Sequence, residues 1–75
     1  MAGHSPTNVD RQIAKLIRER REERKMTQTE LGDEIGVTFQ QVQKYENAAN
    51  RISAGRLFRI AKALKVSPMY FFEDL

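Results

Sequence analysis

Thr38, Phe39, Gln40, Gln43 and Lys44 carry the groups in this chain best suited to meet the edges of nucleic-acid bases. A glutamine amide pairs bidentately with adenine, a lysine donates to guanine, and an aromatic ring or a threonine methyl packs against the methyl of thymine. On their own, Gln40, Gln41 and Gln43 describe only a soluble helix face. Their weight depends on the elements that hold them. Groups for other chemistry are scarce: the single histidine is His4, there is no cysteine, and the four glycines form neither a phosphate loop nor a dinucleotide fingerprint. The expectation is therefore no enzyme, no metal site and no cofactor.

The apolar rhythm supplies those elements. Val9, Ile13, Leu16 and Ile17 recur three and four residues apart, which predicts a first helix to about Arg24, capped by Asn8 or Asp10. Before it, Gly3, Ser5 and Pro6 lie in a stretch without rhythm, so residues 1–8 read as a flexible arm and 9–75 as the folded domain. Thr27 and Glu30 form a capping-box pattern at the head of a second helix, Gln28–Ile35, with Leu31 and Ile35 inward. Gly36 stops that helix in a left-handed conformation, and Val37 and Thr38 restart the chain into a third helix reaching Glu46. Gly32 allows the two helices to approach closely. Val42 and Tyr45 anchor the third helix, and the five residues named above lie on its opposite face near its N-terminal end. A loop from Asn47 to Ile52 leads to a fourth helix capped by Ser53, with Leu57, Ile60, Ala61 and Leu64 inward. Ser67 and Pro68 begin a short fifth helix carrying Met69, Tyr70, Phe71 and Phe72. The fold class is all-α: five short helices in one compact domain.

Charge adds a direction. Lysine and arginine number 13 against 10 aspartates and glutamates, a formal charge of +3. Between Lys44 and Lys65 the chain also has Arg51, Arg56, Arg59 and Lys62 against Glu46 alone. This predicts a locally basic side, although ordinary solvated helix faces have the same composition. Arg18, Arg20, Arg24 and Lys25 alternate with Glu19, Glu22 and Glu23 and read as a self-paired exposed face. No segment has the apolar length of a membrane span.

The stretches MTQTELGDEIGV, QQVQKYEN and LFRIAKALKVSPMYFF resemble, in order and spacing, successive pieces of the XRE family of Cro-like and phage-repressor-like helix-turn-helix proteins. The resemblance covers about Ile13 to Phe72. It implies a five-helix lambda-repressor-like domain that binds double-stranded DNA as a dimer, with its third helix in the major groove. Thr38, Phe39, Gln40, Gln43 and Lys44 then read bases, and Gln28, Asn47 and Arg51 touch phosphates. Arg21 and Glu46 form a structural ion pair that holds the reading helix at its angle. Ala48 stands where the family often has glycine, and Ile52 where it often has proline. The C-terminal aromatic cluster suggests a homodimer contact through Met69, Phe71, Phe72 and Leu75, matched to a palindromic operator. The functional expectation is a cytoplasmic, nucleoid-associated transcriptional repressor, with no effector identifiable. The competing reading is an antitoxin or adaptor that uses the same fold to cover a protein partner.

Overall fold

The computed structural model describes residues 5–75. Four α-helices follow in order: α1 (Asn8–Glu23), α2 (Gln28–Ile35), α3 (Phe39–Glu46) and α4 (Ala54–Leu64). A single 3₁₀ segment, Pro68–Phe72, stands where a fifth helix is expected. Of the expected arm, residues 1–4 lie outside the described residues. Helix α1 already includes Asn8, and Thr7 is its cap. The Thr7 hydroxyl accepts from the Asp10 N–H at 3.1 Å, and the Asp10 carboxylate accepts from the Thr7 N–H at 2.9 Å. Asp10 is thus the reciprocal partner in a capping box rather than the cap itself.

The same logic starts every later element. Thr27 and Glu30 exchange hydrogen bonds of 3.0 and 2.8 Å, while Thr38, Ser53 and Ser67 accept from main-chain N–H groups within the first turns they precede. The ends are left-handed. Gly36 closes α2 at φ 81°, and Lys25, Ala48 and Lys65 turn the chain after α1, α3 and α4 at φ 57 to 58°. In each of these three turns the next N–H reaches back to a carbonyl five residues earlier, satisfying an acceptor that the helix end leaves open.

Ile17, Leu31, Ile35, Val42, Ile60, Leu64 and Phe71 are the largest fully buried side chains, and they draw every element into one core. Ala14 is buried as well, whereas Val9 is exposed, so the apolar stripe of α1 starts one turn later than the spacing predicts. Phe71 requires a correction. Expected at a dimer surface, it is 0% exposed within the single chain, stacked edge-on against Tyr70 with ring centroids 5.4 Å apart. The 3₁₀ segment packs on α1 and α4 and drives this ring between them. Phe72 is half-buried, and only Met69 and Leu75 of the expected contact set are freely exposed.

Two arginines seal helix ends from a distance. Arg20 Nε donates to the Leu64 carbonyl at 2.9 Å, and Arg56 donates to the Ile35 carbonyl. Both cations sit where the negative end of a helix favours them. Arg56 therefore leaves the expected basic side. Lys62 is drawn over the Phe58 ring at 5.8 Å, in a hollow that also holds Glu34 and Arg59. Two of the positive residues in the run, Arg56 and Lys62, are thus engaged within the chain itself.

Candidate nucleic-acid interface

The interface is built on the corner between α2 and α3. A side-chain carbon at Gly32 would lie 2.6 Å from the Val37 carbonyl oxygen, so only glycine lets the turn fold this closely over α2. The close approach is to the turn itself rather than to the body of α3. Leu31, Ile35 and Val42 fill the space beneath, and Tyr45 is nearly buried.

An electrostatic junction fixes the other end of α3. Arg21 grips Glu46 through two hydrogen bonds, Nε to Oε2 at 2.6 Å and Nη2 to Oε1 at 3.1 Å, with the side chains 10% and 2% exposed. The third donor of Arg21, Nη1, binds the Met26 carbonyl at 2.8 Å and so fixes the connection between α1 and α2. The Glu46 hydrogen bonds hold the guanidinium even more firmly in its charged form than usual. Gln28 completes the junction, its Nε2 donating to Glu46 Oε1 at 3.1 Å. The residue expected on phosphate is therefore also tied to α3. The second hydrogen of its Nε2 and the main-chain N–H groups of Gln28 and Thr29 at the start of α2 remain available to an anion.

Thr38, Phe39, Gln40, Gln43 and Lys44 occupy the outer face. All five are exposed, Phe39 to 43%, and Thr38 is also the cap of α3. Among the described residues no hydrogen bond or ion pair holds the side chains of Gln40, Gln43 or Lys44. Asn47 caps the C-terminal end of α3. Beyond it, Arg51 is 3.2 Å from Asp10, whose carboxyl is held below its usual range mainly by the Thr7 N–H, with Arg51 contributing. That contact ties the loop after α3 to the start of α1.

A polar hollow of about 500 Å³ lies between these parts, with Thr27, Gln28, Gln43, Asn47, Arg21, Glu46 and Arg18 on its walls. Two expected phosphate residues, Gln28 and Asn47, and one expected base reader, Gln43, thus meet at one concavity. Arg51 does not line it. Arg18 does, although its sequence context marks it only as part of a self-paired face.

Two helices joined by a glycine turn, with the second displaying an unengaged polar face, define a helix-turn-helix domain. The Helix-turn-helix family model matches residues 17–71, and the chain belongs to this family in its XRE branch. Among curated relatives, the uncharacterised HTH-type transcriptional regulator y4wC of Sinorhizobium fredii is 62% identical over 69 residues, covering 92% of this chain and 48% of the relative. A second such regulator of that organism, y4aM, is 57% identical over 67 residues, covering 89% of this chain and 47% of its own. The chain thus spans about half the length of both. Among solved structures, the P22 c2 repressor in complex with a synthetic operator superposes with a TM-score of 0.74 at 30% identity, covering 79% of this chain and 89% of that one. The wild-type restriction-modification controller protein C.Esp1396I gives 0.80 at 25% identity, covering 89% and 87%.

Proposed function

We propose that this chain is a sequence-specific double-stranded-DNA-binding module of a transcriptional regulator, acting as a repressor from a homodimer on a palindromic operator. One observation carries the reading: an unengaged polar face on α3 is held from beneath by the buried junction of Arg21, Glu46 and Gln28. Protein side chains gain nothing internally from that face, and its groups match base edges. Gln40, Gln43 and Lys44 read bases by hydrogen bonding, and Phe39 and the Thr38 methyl pack on thymine methyls. Gln28, Asn47 and Arg51 hold the flanking phosphates. The operator complex of the P22 c2 repressor supports the partner class.

A domain of this size covers about half of a typical operator, so a second copy supplies the remaining specificity. Met69 and Leu75, 63% and 61% exposed, with the half-buried Phe72, offer the apolar surface for it. The adaptor reading draws on the same surface, and the withdrawal of Phe71 into the core reduces what either contact can bury. No helix among the described residues is long and apolar enough to cross a membrane, and the proposed site of action is the cytoplasmic nucleoid.

Selection of bound duplexes from a random pool tests the whole reading. The expected product is an inverted repeat whose half-sites are centred about one DNA turn, roughly 34 Å, apart. Recovery of no consensus overturns sequence-specific binding, and a single non-repeated site overturns the symmetric dimer.

A further inference from the structure

We propose that Arg18 is a phosphate-binding residue of this interface, supplying the positive charge that the hollow at the start of α2 otherwise lacks. The inference rests on the DNA-binding reading above. Within that hollow Arg21 is neutralised by Glu46, while Thr27, Gln28, Gln43 and Asn47 are uncharged. Arg18 is the remaining cation on its walls. A phosphate drawn there by the N–H groups of α2 needs such a partner, and a guanidinium fits phosphate oxygens in pairs.

The existing contact of Arg18 is easily exchanged. Its Nε lies 3.3 Å from Glu22 Oε2, but the two side chains are 63% and 54% exposed, and a pair so wet is weak and screened by salt. Arg18 also stands at the border with a second hollow, of about 460 Å³, which Asn47 shares. Arg11 and Lys15 line that hollow on α1, seven and three residues before Arg18 and hence on the same helix face. A backbone strand leaving Gln28 past Arg18 thus meets further positive charge, interrupted by Glu19 and Glu22.

The experiment measures binding of the whole chain to the selected duplex and to an unrelated duplex between roughly 50 and 200 mM salt. Arg18→Gln should weaken both alike and lower the salt slope by about 0.9, shrinking the affinity change over that range about 3.5-fold. Arg18→Lys should keep most of the slope. Arg59→Ala removes the same formal charge from a hollow that shares no residue with this one, and should leave the slope unchanged. Glu22→Gln should strengthen binding to both duplexes, and the gain should vanish in an Arg18→Gln background. A wild-type slope in Arg18→Gln, or an equal loss in Arg59→Ala, overturns the role of Arg18. A wild-type chain that binds neither duplex overturns the DNA-binding reading itself.

Discussion

Beneath α3, Arg21, Gln28 and Glu46 engage one another closely, and above it Gln40, Gln43 and Lys44 engage nothing among the described residues. The two regions meet at one eight-residue helix, the lower one through Glu46 and its partners on α1 and α2, and they use similar amide and charged groups. Below, each group is withdrawn from water and its partner is fixed, so changing one strands another. Above, water satisfies each group until a ligand replaces it. Stability should therefore reside in the junction and specificity in the outer face, and substitutions can separate the two.

Glu46→Ala should have the largest effect, lowering unfolding free energy by roughly 3 to 5 kcal/mol, because the buried Arg21 charge loses its bidentate partner and keeps only the Met26 carbonyl and the exposed Glu22 carboxylate 3.9 Å away. Urea denaturation measures this. The double substitution Arg21→Met/Glu46→Leu sharpens the contrast: it should recover most of the stability without recovering DNA affinity, since the tie from Gln28 to α3 is lost. Gly32→Ala comes next, at about 1 to 3 kcal/mol, because the new methyl must displace the Val37 carbonyl and with it the turn that aims α3. Unlike a change on the outer face, it should reduce thermal stability and DNA affinity together. Ala48→Gly should have the smallest effect. Ala48 holds φ 57° after α3, and glycine relieves that strain at the loss of a small buried methyl, so a gain of about 0.5 kcal/mol is expected. A rise of roughly 2 to 4 °C in Tm would show it. A loss of stability would mean that the methyl contact outweighs the strain.

The two regions are not equally readable in the sequence. The corner is plain because its signals are local: the Thr27 and Glu30 box, the stop at Gly36 and the cap at Thr38 each act within four residues. Thr7 and Asp10 have the same spacing as the box at Thr27, and that signal marks the true start of α1. The pairing of Arg21 with Glu46 is available only through resemblance, since nothing in composition links residues 25 apart. The arginine seals at Leu64 and Ile35 are not legible, because a main-chain carbonyl has no sequence signature. Phe71 is misplaced by the sequence pattern for another reason. Met69, Tyr70, Phe71 and Phe72 are consecutive apolar residues without a polar alternation to mark the inward one, and a 3₁₀ segment with about three residues per turn selects a different face from an α-helix.

The central claim is that the outer face of α3 reads sequence, and Gln40→Ala tests it most directly. Its affinity is measured for the selected duplex, for that duplex with single base-pair changes, and for unrelated DNA, alongside a thermal melt. The expected result is a loss of about 1 to 3 kcal/mol on the selected duplex, relaxed preference at one or two base pairs, and unchanged Tm and unrelated-DNA binding. An equal loss on every duplex would contradict the claim.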